Sequence, residues 1–200
     1  MQPNSKTLVV FDFDGTLNSK DSLFQFIPFY SGKLRTFFGL TILTPFLIGH
    51  FLGLVTSHKA KEQLLTFFFA GENVSIFNKR CEEFAIRVLS SSIRPEAKER
   101  LDYFKLKGAR IIIVSASIEN YLNSIAKMLE VEVLGTRLEI NESLLTGKIL
   151  GNNCKGNEKV RRLNEFLNLD EYENIIVFGD SPGDKELINI ATESYYRPFR

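Results

Sequence analysis

The run Leu8-Val9-Val10-Phe11-Asp12-Phe13-Asp14-Gly15-Thr16-Leu17 decides the fold. Four apolar residues, β-branched or aromatic after the first, stop abruptly at a carboxylate, which is how a strand buried on both faces reads. Two later segments share the pattern: Ile111-Ile112-Ile113-Val114-Ser115 and Ile175-Ile176-Val177-Phe178-Gly179-Asp180. Amphipathic stretches of helical period cover residues 95–106, 119–129 and 157–167. Strand and helix therefore alternate, which predicts an α/β chain with a parallel sheet and crossover helices. In such sheets ligands bind beyond the carboxyl ends of the strands, where the three polar terminations would gather.

Residues 19–88 depart from this pattern. They hold 12 of the 18 phenylalanines, with helix-like spacing broken by Pro28, Gly32, Pro45, Gly49 and Gly53. This predicts a helical insert after the first strand, with residues 1–18 and 89–200 forming the core domain. Residues 137–141 and 145–150, around Asn141-Glu142-Ser143, predict a hairpin that extends the sheet. Residues 37–57 carry no charged side chain and are nearly long enough to cross a bilayer. A single crossing would separate the strand ending at Asp12 from the strand ending at Ser115. The expectation is therefore a buried helix pair broken at Pro45 and Gly49, with a lipid-touching cap as the disfavoured alternative.

A 200-residue chain with 44% hydrophobic and 24% charged residues excludes a disordered or disulfide-scaffold protein. With 25 basic against 24 acidic residues spread along the chain, coating of nucleic acid or of an anionic membrane is not expected. Cys81 and Cys154 stand in no metal or disulfide spacing. Together with the polar start, which lacks a secretory hydrophobic segment, this predicts a cytoplasmic location.

Chemistry concentrates at four places. Asp12 and Asp14, two residues apart on an extended chain, face one side. Carboxylates this close call for a cation or a shared proton. Ser115, Ala116 and Ser117 close the second strand ahead of a helix, and free N–H groups at a helix start favour a phosphate. Lys159 falls in the first turn of the next helix, opposite a stripe of Val160, Leu163 and Phe166, where a cation opposes the helix dipole. Lys155 lies just before that helix and could serve instead. Asp180 and Asp184 follow the third strand. Asp-rich oxygen ligands with a phosphate select Mg²⁺.

The set Asp12-x-Asp14-Gly15-Thr16, Ser115, Gly156-x-x-Lys159 and Gly179-Asp180-Ser181-x-x-Asp184 resembles the four motifs of the haloacid-dehalogenase-like phosphohydrolases, in the order and spacing of their phosphoserine-phosphatase-like branch. The resemblance implies a Rossmann-like parallel sheet with helices on both faces and an α-helical cap at residues 19–88. It also implies a phosphomonoester hydrolase. In it Asp12 is the nucleophile and Asp14 the general acid and base. Ser115, Ala116 and the lysine hold phosphate, Mg²⁺ is bound by Asp12, Asp180 and the Asp14 carbonyl, and Asp184 lends support.

That branch carries a glutamate and a cap arginine to read phosphoserine, whereas this chain offers Asp21 and, near the second position, Lys59 and Lys61. A small or partly apolar phosphomonoester is therefore the expected partner. The apolar insert and Asp21 are also similar to bacterial phosphatidylglycerophosphate phosphatases, so a lipid phosphate is an alternative. A phosphotransferase of the same fold and a phospho-acceptor signalling domain are two others.

Overall fold

In the computed structural model, which describes residues 6–199, the chain starts at the centre of its sheet. The polar start, read above from the first seven residues, falls mostly on residues 1–5, outside that range. β1 (Thr7–Phe11) leads into α1 (Ser22–Phe51), α2 (Ser57–Phe69) and α3 (Val74–Phe84). A π-helical turn (Ala85–Leu89) and α4 (Ser90–Ser92) then reach α5 (Pro95–Leu106). Next come β2 (Arg110–Ile118), α6 (Glu119–Leu129), β3 (Glu132–Thr136), β4 (Leu138–Asn141) and β5 (Leu144–Ile149). The chain closes with α7 (Asn157–Phe166), β6 (Asn174–Gly179), α8 (Lys185–Asn189) and β7 (Glu193–Tyr196).

Five strands form one sheet in the order β3-β2-β1-β6-β7, each neighbouring pair parallel. Because β1 lies between β2 and β6, Leu8, Val9, Val10 and Phe11 are all fully buried. Alternation divides them. Val9 and Phe11 pack with Ile113 and Phe178 on the face covered by α5, α6 and the inserted helices. Leu8 and Val10 pack with Ile112, Val177, Leu163 and Leu187 on the face of α7 and α8. The chain is thus a Rossmann-like α/β fold with helices on both faces and a helical stretch inserted after the first strand.

The insert docks through aromatic rings. Phe26 of α1 meets Phe69, Phe77, Phe84 and the core residue Tyr121 at centroid distances of 5.0–5.5 Å. Such contacts add about 0.5–1.5 kcal/mol each beyond the area they bury.

Four expectations are corrected. The hairpin of β4 and β5 does not extend the main sheet. It forms its own two-stranded sheet and packs on α2, where a Cβ on Gly147 would lie 2.4 Å from the Thr66 Cα. Ser115 is not at a helix start, because β2 continues through a register shift to Ile118 before α6 begins. Phe166 is 45% exposed and does not join Leu163 in a buried stripe. Finally, residues 37–57 are not a buried helix pair. α1 runs through both Pro45 and Gly49 and breaks its helical geometry at Gly32 instead, where φ is 78° and ψ 160°. The half beyond that break is largely exposed.

Candidate active site

The strand ladder runs one residue past β1, since the Asp12 N–H donates to the Phe178 carbonyl at 2.9 Å. This sets Asp12 beside the end of β6, from which Asp180 emerges. The chain then turns back: Asn18 N–H bonds the Phe13 carbonyl at 2.8 Å, and Gly15 takes φ 83°, a left-handed conformation that glycine adopts without strain. Phe13 and Leu17 are pulled into the core, which holds Asp14 over the sheet end.

Lys159 lies in the first turn of α7 and is 2% exposed. Its ammonium donates to Asp12 Oδ1 at 2.6 Å and to Asp184 Oδ1 at 2.5 Å. Asp184 Oδ2 accepts from the N–H groups of Asp180 and Ser181, at 3.2 and 3.0 Å, and from the Ser181 hydroxyl. Asp184 therefore fixes both the lysine and the loop that carries Asp180. The approach is close enough to require Gly179, where a Cβ would meet the Asp184 Cβ at 2.8 Å. Carboxylate oxygens of Asp12, Asp180 and Asp184 lie within 4.8 Å of one another. This all-oxygen set, with more acids than its one buried lysine offsets, fits a hard divalent cation.

Asp14 is held from both sides. Oδ1 accepts from the Ser22 N–H at 3.0 Å and from Asn18 Nδ2 at 3.1 Å. Oδ2 accepts from the Ser22 hydroxyl at 2.8 Å and from the Ser117 hydroxyl. Ser22 Oγ also lies 3.0 Å from the Tyr121 hydroxyl. The first turn of α1 is thus anchored on Asp14, with Asp21 as its N-cap.

Burial raises the Asp12 carboxyl to about 7, against the opposing charge of Lys159. It raises Asp14 to about 6, with Asp21 adding to the effect and the hydroxyl donors limiting it. Burial would depress Lys159, but Asp12 and Asp184 more than reverse that and hold it charged.

These residues open on a cavity of about 410 Å³ lined by Asp12, Asp14, Asp180, Ser115, Ala116 and Lys159. Lys155 and Asp21 also line it, but the amine that contacts the acids is that of Lys159. From the insert, Lys61 reaches in and donates to the Ala116 carbonyl at 2.6 Å and to Asn153 Oδ1 at 3.0 Å. Burial lowers it to about 8. Lys59 is exposed on α2 and is absent from the cavity wall.

Sequence reasoning missed the cradle of Asp14. Ser117 shares a face with Ser115 at spacing i, i+2, which was a usable signal. Asn18, Ser22 and Tyr121 carried none, because their convergence depends on how the loop and α1 fold back.

The haloacid dehalogenase-like hydrolase family model matches residues 9–188, so the chain belongs to that family. Protein CicA of Caulobacter vibrioides is 36% identical over 96% of this chain and 86% of its own length. A protein of unknown function from Bordetella pertussis superposes with a TM-score of 0.84 at 23% identity, over 96% of this chain and 89% of that one. A substrate-bound phosphoserine phosphatase superposes at 0.68 and 16% identity, over 94% and 84% of the two chains.

Proposed function

We propose that the protein is a Mg²⁺-dependent phosphomonoester hydrolase working through an aspartyl-phosphate on Asp12. One observation carries this reading: Asp12 and Asp14 share a turn but have separate partners. Lys159 orients the first, and a hydroxyl and amide cradle holds the second. In this reading an Asp12 oxygen attacks phosphorus in line, and the bond from phosphorus to the ester oxygen breaks. Asp14 gives its proton to the departing alkoxide. It then takes a proton from the water that attacks the aspartyl-phosphate, releasing inorganic phosphate and regenerating Asp12. An acid raised to about 6 is suited to both transfers near neutral pH.

Ser115, the amides around Ala116, and Lys159 would hold the phosphoryl oxygens, whose charge spreads in the transition state. Asp12, Asp180 and the Asp14 carbonyl would hold Mg²⁺, with Asp184 in support. The ion would supply countercharge for acids and phosphate that one lysine does not balance. Asp21, Leu23 and Lys61 also line the cavity and would meet the leaving group of a small or partly apolar substrate. Two buried free cysteines are in keeping with a cytoplasmic location.

Replacing Asp12 by Asn keeps the shape and removes the nucleophile. Turnover of an aryl phosphate with Mg²⁺ should then disappear, and activity close to the parent's would reject the reading.

A further inference from the structure

We propose that the second half of α1, residues 33–51, with the turn that follows it to Val55, docks in the plane of an anionic lipid bilayer. The helix touches the protein along a single row. Thr36, Leu40, Leu43 and Leu47, spaced three to four apart, are buried or half-buried. Gly39 on the same side allows close approach, since a Cβ there would lie 2.5 Å from the rings of Phe67 and Phe68. Elsewhere around the helix and its turn, Leu34, Phe37, Phe38, Ile42, Phe51 and Leu54 are between 61% and 90% exposed. A helix on the surface of a water-soluble domain presents a polar face outward, whereas one that is apolar all round belongs in a core or in lipid. α1 is also long and apolar enough to cross a membrane, with 11% of its apolar window buried.

The helix's polar side chains point to the same medium. The hydroxyls of Thr36, Thr41 and Thr44 donate to the carbonyls of Gly32, Phe37 and Leu40, at 2.7–2.8 Å. Turned onto their own backbone, they ask little of the surroundings.

Charge selects the occupant. Residues 33–59 contain Lys33, Arg35 and Lys59 and no Asp or Glu. Near-neutrality of the whole chain conceals this local excess, which attracts anionic headgroups and opposes stacking against a second copy.

Both ends of the helix are tied to the body, so it lies along the surface rather than crossing. Arg35 donates to the carbonyls of Phe67 and Phe68, and His50 Nδ1, 2.9 Å from the Val55 carbonyl, holds the following turn against the helix end. Two residues beyond Val55, Ser57 Oγ accepts from Asn153 Nδ2 at 3.1 Å. The same path leads on to Lys61 in the cavity wall.

The test is co-sedimentation of the full chain with vesicles of phosphatidylcholine, alone and mixed with phosphatidylglycerol. It should pellet with the mixed vesicles, and less with phosphatidylcholine alone or at high salt. The triple variant Phe37→Asp, Ile42→Asp, Phe51→Asp changes only exposed positions and should bind at least tenfold more weakly with an unchanged melting temperature. Three results would overturn the proposal: no binding by the parent chain, equal binding by the triple variant, or a dimer that dissolves in the triple variant while neither protein binds vesicles. None of these readouts depends on the reaction at Asp12.

Discussion

The loop after β1 and the outer half of α1 stand a few turns apart in sequence and treat water in opposite ways. The loop takes Asp12 out of solvent and half-buries Asp14, with Lys159, Asp180 and Asp184 buried beside them. The helix puts Phe37, Phe38 and Phe51 into it. Neither arrangement favours stability on its own, since buried charge loses hydration and exposed aromatic surface loses the gain of burial. In the functions proposed above, each marks a place where something outside the chain would complete the structure: a cation and a phosphate in one case, an apolar phase in the other. The aromatic cluster around Phe26 lies between them and shows the same residue types used for ordinary packing.

The two regions should therefore respond differently to substitution. Asp12→Asn should lower turnover by roughly six orders of magnitude, the scale seen when a nucleophile is removed, in a steady-state aryl-phosphate assay. Lys159→Ala leaves two buried carboxylates without their amine. It should destabilise by about 3–5 kcal/mol in denaturant unfolding, while Lys155→Ala, at an exposed position, should stay within about 0.5 kcal/mol. A larger loss from Lys155→Ala than from Lys159→Ala would move the partner to Lys155. Phe26→Ala should cost about 3–5 kcal/mol through the cavity it leaves. Phe37→Ser, at a ring that is 66% exposed, should change stability by no more than about 0.5 kcal/mol in the absence of lipid.

A smaller effect separates the regions by pH. In chelator, Asp12 and Asp14 keep their protons up to about 7 and about 6 in the folded chain, against an ordinary value of 3.8. The folded state then binds more protons at these two acids than the unfolded one between these limits, so their contribution to stability is fully present below about 4 and is lost as pH rises through about 7. Melting temperatures in EDTA should decline across that window, and Asp12→Asn should flatten the decline. A rise over the same range would show that the acids are not desolvated.

The sheet was legible because its central strands are buried on both faces and therefore read as unbroken apolar runs ending in acids. The acids and Lys159 were legible for a related reason, as polar residues placed where the strand and helix pattern leaves no packing use for them. The hairpin was placed on the wrong sheet because local turn chemistry at Asn141-Glu142-Ser143 specifies pairing within the hairpin and nothing about what it packs on. Residues 37–57 misled more deeply. Apolar composition predicts removal from water but does not say whether protein or lipid accomplishes it. Proline and glycine also failed as breakers, because Pro45 was accommodated within α1 and the break fell at Gly32. The cradle of Asp14 joins residues far apart in sequence, Ser22 with Ser117 and Tyr121, which no local pattern could bring together.

Rapid-quench mass spectrometry during turnover of an aryl phosphate in Mg²⁺ most directly tests whether Asp12 carries the reaction. The peptide holding Asp12 should gain the mass of one phosphoryl group, sensitive to hydroxylamine, and should lose it in Asp12→Asn. A phosphoryl group found on Ser115, or an undiminished label in Asp12→Asn, would contradict the assignment.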